Sequence, residues 1–412
     1  MTEMLRINRL GHRGDGVALA AGGAVHVPLA LPGELVEADL SGERPRLVRV
    51  VEAAPERVAP YCPEVGACGG CATQQFAQAS ALAWKRQLLA EAFGRAGLEV
   101  EDRIAPCLDA HGAGRRRVTF HARPGADGRI AVGFAEARSH AIVPIAACPL
   151  LAPELAGALP AARALAAALS SRRKPLDIVA SATLAGLDVD VRGGGPPPES
   201  LRLRLVELAG RLDLARLSIH GDVVVERRRP TLAIGRAEVT PPPGAFLQAT
   251  ALGEAELARL VAEGVAGAKR VADLFCGVGP FALRLAGASE VYAADTEKPA
   301  VEALAAAARM ASGLKRVTAE ARDLFRRPLT AAELAKFDAV VFDPPRAGAE
   351  AQARTLAASK VRSVVAVSCS AATLARDAAI LIAGGYRLDS VTPVDQFRHS
   401  AHVEAVARFS RS

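Results

Sequence analysis

The chain has 412 residues, half of them hydrophobic, and a formal net charge of +7. That length suits two or three domains, and that apolar content supports a large core, which excludes a mainly disordered chain. No run of about 18 uncharged apolar residues occurs and the opening MTEMLRINRLGHRGDG has no apolar h-region, so neither a membrane span nor a secretory leader is expected and the protein reads as cytoplasmic.

Residues 3–53 are short strand-like runs broken by Gly and Pro (MLRINRL, GAVHVPLALPGE, LVEADL, PRLVRVVE), which predicts a small antiparallel barrel. The segment from Pro60 to Cys71 is too rich in Pro, Gly and Cys for regular structure, and residues 74–97 then show helical periodicity ending in Gly. Between Arg103 and Val239 strands (RRVTFHAR, RIAVGFAEA, LDVDVRG) mix with Ala-rich helices. GGGPPPES reads as a loop and TPPPGAF as a linker. From Gln248 onward helix and strand alternate: a helix near 254–263, strand RVADLF, helix FALRLA, strand VYAAD, a helix over 299–310, strands DAVVFD and SVVAVS, and helix AATLARDAAILIA. That order predicts a doubly wound parallel sheet with helices on both faces. Three basic clusters (Arg115–Arg117; Arg172, Arg173 and Lys174; Arg227–Arg229) precede it. Each alone reads as solvated surface, and together they suggest a face that tracks a polyanion.

Four groups of residues carry chemistry. The run Asp273-Leu-Phe275-Cys-Gly277-Val-Gly279 sits between a predicted strand and helix, where glycines let a ligand approach the backbone closely. Asp295 ends the next strand, in position for ribose hydroxyls. A single G-x-G preceded by Asp273 suits the adenosyl group of S-adenosylmethionine better than a dinucleotide. Asp323 suits the adenine amino group, or equally a helix cap or solvated turn. The second group, FDPPRAG, places Asp343 at a strand end on a rigid Pro344–Pro345 turn. Arg346 follows where amino-methylating enzymes place an aromatic residue, which argues against N-methylation.

The third group is VSCSAATLARD. Cys369 ends a strand and Ser370 caps the next helix, a position expected to push the thiol towards thiolate. Uracil C5 is a poor nucleophile until something adds at C6, and a thiolate is the group to do so. A base must then remove the C5 proton; His399, His402 and Glu404 in VDQFRHSAHVEAVARF are the candidates, and spacing alone does not choose among them. The fourth group is Cys62, Cys68 and Cys71 in a Gly-rich loop, with Cys148 or Cys107 as a remote fourth. It suits a four-thiolate [4Fe–4S] cluster, with zinc as runner-up.

Together these residues resemble the RNA uracil-C5 methyltransferases, the bacterial 23S rRNA (uracil-5-)-methyltransferase type with a TRAM domain and an iron–sulfur cluster. The resemblance spans nearly the whole chain: GDGVALAAGGAVHVPLALPGE, CPEVGACGGCATQ, ACPLL, DLFCGVGPFAL, FDPPRAG, VSCSAATLARD and HVE stand in family order. It implies Cys369 as nucleophile, Glu404 as base and Asp343 at the uracil edge. It gives the cofactor Gln248, Phe275, Gly277, Asp295, Asp323 and Asp343, places Phe246 near the base, and makes Cys148, not Cys107, the fourth cluster ligand. The implied fold is a Rossmann-like class I methyltransferase domain (73–105 and 245–412), an N-terminal OB-like TRAM barrel for RNA (1–53), and a central α+β iron–sulfur domain (54–72 and 106–244). Departures from the family pattern are Ser-Cys-Ser-Ala for Ser-Cys-Asn-Pro and Leu-Gln-Ala-Thr for Phe-Gln-x-Asn. The expected partner is 23S rRNA, with no membrane or DNA partner and a monomer favoured. The alternatives are the same chemistry on tRNA, or a non-catalytic iron–sulfur RNA-binding or chaperone protein. A cytosine-C5 enzyme is disfavoured because the nucleophile candidate Cys369 follows Ser368 and so lacks a Pro-Cys nucleophile turn.

Overall fold

A computed structural model describes residues 2–20, 22–42, 44–125, 130–170 and 174–411; Arg172 and Arg173 of the second basic cluster lie outside the described residues. The N-terminal runs form strands β1 (Thr2–Leu10), β2 (Gly16–Ala20), β3 (Gly23–Val27), β4 (Leu35–Asp39) and β5 (Arg46–Glu52). They pair antiparallel in the order β3-β2-β1-β4-β5, leaving β3 and β5 as edges among the described residues. Leu5, Ile7, Ala18, Val27, Val36 and Ala38 form their own small core.

Helix α1 (Gln78–Arg95) and the two-residue β6 (Leu108–Asp109) follow. Both join the C-terminal half: Leu89 and Phe93 of α1 share its core, and β6 pairs with its edge strand. A second sheet, in the order β13-β12-β11-β10-β7-β8-β9, comprises β7 (Arg117–Pro124), β8 (Ile130–Ala135), β9 (Ile142–Pro144), β10 (Leu176–Thr183), β11 (Gly186–Gly193), β12 (Arg216–Ile219) and β13 (Asp222–Glu226). Helices α2 (Ala158–Ala168) and α3 (Glu199–Arg211) pack on it through Leu165, Leu205, Phe120, Ile178 and Val189. A short hairpin, β14 (Leu232–Ile234) and β15 (Ala237–Val239), then packs into the core of the third sheet.

That third sheet is built from β16 (Arg270–Leu274), β17 (Glu290–Asp295), β18 (Val317–Ala321), β19 (Ala339–Phe342), β20 (Ser363–Ser368), β21 (Arg387–Asp395) and β22 (Glu404–Ser410), with β6 at the edge. Its helices are α4 (Ala251–Gly264), α5 (Ala282–Leu285), α6 (Lys298–Met310), α7 (Ala331–Leu334), α8 (Glu350–Ala357) and α9 (Ala371–Ala383). The central strands read as continuous apolar runs because both faces are covered. Ala272, Leu274, Val340, Phe342, Val364 and Ala366 face α1, α8 and α9, whereas Val271, Ala339, Val341, Val365 and Val367 face α4, α5 and α6. This is the period-two alternation of a strand buried on two sides.

The order is β18-β17-β16-β19-β20-β22-β21-β6, so the chain direction of building reverses between β16 and β19, and a crevice opens at their carboxyl ends. The expected doubly wound parallel sheet is present from β16 to β20. The hairpin of β21 and β22 is the departure: β22 inserts antiparallel between β20 and β21. Among the described residues no helix is long and apolar enough to cross a membrane.

Candidate active site

The carboxyl ends of β16, β17, β19 and β20 share one edge of the sheet, and the reversed direction of β22 brings its amino end to the same edge. In the β20–β22 ladder Ser368 pairs with Ala405, and one step further that antiparallel register sets Cys369 opposite Glu404. Glu404 is 3% exposed, so the strand alternation that allowed it to face solvent is overridden by the paired neighbours on both sides.

Cys369 follows β20, and the Ser370 side chain caps α9 by accepting from the Thr373 N–H at 3.4 Å. Burial and the negative charges of Glu404 and Asp343 nevertheless push the Cys369 thiol up to about 11, with the Arg346 guanidinium acting in the other direction. The helix terminus therefore does not by itself make a thiolate, contrary to the sequence expectation: the low dielectric and two carboxylates outweigh it. Burial also raises both Asp343 and Glu404 above the carboxylate range; the Asp295 charge adds to the rise at Asp343, and the Asp343 charge to the rise at Glu404.

Asp343 follows β19 with its N–H donated to the Leu274 carbonyl at 3.1 Å. Its Oδ2 accepts from Gln248 Nε2 at 3.1 Å, Gln248 Oε1 accepts from Gln396 Nε2 at 2.6 Å, and the same Gln396 nitrogen lies 3.4 Å from Glu404 Oε1. The two carboxylates are thus joined through two amides. Of the other base candidates, His399 is held against Tyr61 Oη by Nε2 at 2.9 Å and burial drives it down to about 4. His402 lies against Arg346, which together with burial lowers its pKa.

The glycine loop lies after β16. Gly277 (φ 51°) and Gly279 (φ 90°) occupy the left-handed region, and a Cβ on Gly277 would meet nothing within 4 Å, which leaves the loop open to a ligand. A Cβ on Gly279 would strike Leu304 Cδ1 at 2.6 Å, so that glycine serves packing on α6. Asp295 braces the loop: Oδ2 accepts from Gly277 N and Oδ1 from Glu297 N, both at 2.9 Å. Asp323 Oδ1 accepts from the Phe325 and Arg326 N–H groups, which is the capped-turn arrangement. Phe275 and Phe325 meet with centroids 5.3 Å apart. Asp273 is sealed beneath the loop, and burial, opposed by the Ala282 backbone N–H and helped by the Asp343 and Asp295 charges, raises it to about 8.

Comparison with known proteins matches residues 206–411 to the tRNA (uracil-5-)-methyltransferase family. An uncharacterized RNA methyltransferase of Brucella suis is 46% identical over 98% of this chain and 97% of its own length. The 23S rRNA (uracil(1939)-C(5))-methyltransferase RlmD of Chromohalobacter salexigens is 36% identical over 99% of this chain and 89% of its own. The chain belongs to the RNA uracil-5-methyltransferase family. Its fold is likewise similar to that of a Pyrococcus abyssi tRNA (uracil-54, C5)-methyltransferase solved with S-adenosyl-L-homocysteine, at a TM-score of 0.73, 22% identity and coverage of 99% and 100% of the two chains.

In this methyltransferase Cys62, Cys68, Cys71 and Cys148 line one cavity of about 460 Å³, together with Arg115 and Gln74. Burial and the neighbouring sulfurs raise Cys71 to about 12. Among the described residues no group of three or more His, Cys, Asp or Glu side chains is arranged to hold a metal ion. Cys107 lies elsewhere, beside Lys85 and Asp395. The Arg115–Arg117 cluster is turned inward rather than solvated: Arg116 pairs with Glu254 and donates to the Gln248 carbonyl, and the Arg115 guanidinium sits 5.8 Å from the Phe397 ring centroid. Arg227 and Arg228 are paired with Asp213. Sequence reasoning missed Gln396 and Lys85. The signal available was the Asp395–Gln396 pair at a strand end beside the histidine-rich loop, and a lysine within a helical run that otherwise reads as amphipathic.

Proposed function

We propose that the chain methylates C5 of a uridine in 23S ribosomal RNA from S-adenosylmethionine, through a covalent bond between Cys369 and C6. The observation that carries this reading is the opposition of Cys369 and Glu404 at a cleft edge that also holds Asp343. Cys369 gives up its proton to water, the sulfur pair forms the C6–S bond, and the displaced C5–C6 π pair leaves C5 nucleophilic. S-adenosylmethionine supplies an electrophilic methyl group at C5. Glu404 then takes the C5 proton, the C–H electrons restore the C5–C6 double bond, and the thiolate leaves. Asp343, held by Gln248, orients the uracil edge.

The residues present fit that donor: an open glycine turn at Gly277, the Asp295 carboxylate beside it, and an excess of buried acid that a cationic ligand relieves. Gln248, Phe275, Gly277, Asp295, Asp323 and Asp343 would hold it. Phe246 is 72% exposed, which suits stacking on an unpaired base drawn out of the RNA.

Cys62, Cys68, Cys71 and Cys148 would hold a [4Fe–4S] cluster. Four thiolates can also hold zinc, which is the alternative to the cluster. Residues 1–53 would act as a TRAM-like RNA-binding part, with the five-strand order as support. Residues 54–72 and 106–244 would form a central iron–sulfur part, and 73–105 with 245–412 the catalytic part, working in the cytoplasm as a monomer. The target follows the RlmD relative, and transfer RNA is the second reading, favoured by the description of the matching family.

Incubation with S-adenosylmethionine and 5-fluorouridine RNA tests the chemistry, because fluorine cannot leave as a proton does. A covalent protein–RNA complex that Cys369→Ala abolishes is expected; no complex on any RNA defeats the reading. Mapping 5-methyluridine in ribosomal and transfer RNA from a deletion strain decides the target.

A further inference from the structure

Gln396 lies between the two carboxylates of the site, is fully buried, and was given no role among the candidates in the run that holds it. The Thr250 backbone N–H, which can only donate, points at Gln396 Oε1 at 3.4 Å. That contact fixes the amide: its oxygen faces Thr250 and its nitrogen faces the cleft. One nitrogen hydrogen goes to Gln248 Oε1 at 2.6 Å and the other is directed to Glu404 Oε1 at 3.4 Å. With its oxygen already accepting, Gln248 must turn its own nitrogen to Asp343 Oδ2 at 3.1 Å. A single backbone N–H thereby sets the polarity of the whole row, and both ends present a donor to a carboxylate.

The fold makes room for this row. A Cβ on Gly253, in the first turn of α4, would come within 2.7 Å of Gln396 Oε1 and 2.8 Å of Gln396 Cβ. The residues on either side are pinned: Lys85 Nζ donates to Asp395 Oδ1 at 2.6 Å and to the Phe397 carbonyl at 3.0 Å. Gln396 therefore has little freedom to swing away.

We propose that Gln396 is a positioning residue that aims the Glu404 carboxylate at uracil C5 and locks it in register with the Gln248–Asp343 pair. The inference rests on the uridine-methylating reading above. It concerns one step: Glu404 takes the proton from C5, the C5–H pair forms the C5–C6 double bond, and the C6–S bond breaks with its pair returning to Cys369. Addition of the thiolate and arrival of the methyl group precede that step and do not need the base.

The test uses Gln396→Met, which keeps length and removes the donor, and Gln396→Leu, which removes it with a different shape. Both variants should form the covalent complex on 5-fluorouridine RNA at the wild-type rate. On ordinary uridine RNA both should accumulate a methylated, denaturation-stable complex and release product at least about tenfold more slowly than wild type, as expected for an impaired general base. Release at the wild-type rate by both variants overturns the inference. So does loss of the 5-fluorouridine complex in both, which would place Gln396 before the base. A wild-type protein that forms no complex on any RNA instead sinks the uridine reading, and the inference with it.

Discussion

Cys369 and Glu404 stand opposite one another across the junction of β20 and β22, the one ending a parallel strand and the other opening its antiparallel neighbour. The pairing places a thiol and a carboxyl group side by side at one sheet edge, and the Glu404 charge raises the proton affinity of Cys369. The free protein should therefore resist alkylation at Cys369 near neutral pH, with the rate climbing toward a midpoint of about 11. Glu404→Gln removes one of the two negative charges and should move that midpoint down. Peptide-resolved iodoacetamide kinetics from pH 7 to 11 would measure both, and an unchanged midpoint would remove Glu404 from the thiol's surroundings.

The sealed Asp273 carboxyl gives a stability prediction with a definite sign. Its ordinary value is 3.8 and the folded value is about 8, so between those limits the folded state holds a proton that the unfolded state has lost. Its contribution is fully present below pH 3.8 and disappears as pH rises through 8. Within that window it weakens the fold by about 1.4 kcal/mol per pH unit. Asp273→Asn should flatten the fall, while the part owed to Asp343 and Glu404 remains. Urea unfolding at pH 5, 6.5 and 8 would show it, and parallel curves for the two proteins would refute it.

Lys85 is 1% exposed and forms a buried pair with Asp395. Lys85→Met would leave a charged carboxylate uncompensated and should cost about 3–5 kcal/mol. Adding Asp395→Leu should return most of that loss, since an apolar pair of similar volume suits the same site. A double-mutant cycle by denaturant unfolding measures the coupling; additive losses would show that the pair is not the unit.

The cysteine loop is tied to the segment that leads into Glu404. Ala72 and Thr73 N–H groups donate to the His399 carbonyl at 2.7 and 3.2 Å, and Tyr61 Oη meets the His399 ring. Cys71→Ser should lose iron and its visible absorbance, and amide exchange over residues 397–403 should rise as the loop loosens. Iron content and exchange mass spectrometry read the two separately. Full iron retention in the variant would refute the ligand assignment.

The composition of individual segments made strands β16, β17, β19 and β20 legible, because a run such as AVVF or SVVAVS, buried on both faces, needs no partner to be recognised. The glycine turn, the Asp343 turn and Cys369 were legible for a related reason: each is a local departure from such a run. Glu404 was legible as a residue and not as a position. Its alternation in HVEAVARF is the same for a solvated strand as for one inserted between two others, and only the pairing to β20 and β21 buries it. The thiol of Cys369 shows the same division. Its place before a helix was written locally, whereas its proton affinity depends on carboxylates brought from 26 residues earlier and 35 later in the chain (369 − 343 and 404 − 369).

Gln396 marks the limit most clearly. Its neighbours give only a weak signal, a polar pair at a strand end, since its partners Thr250 and Gln248 come from far away in sequence and meet it from a different helix and loop. Sequence by itself determined which groups are available to add, to accept a proton and to bind a cleft ligand. Which of them share a low-dielectric edge, and hence how strongly each holds its proton, was decided only when the last hairpin entered the sheet antiparallel, because hydrogen-bond register and burial are properties of packed strands and not of any one of them.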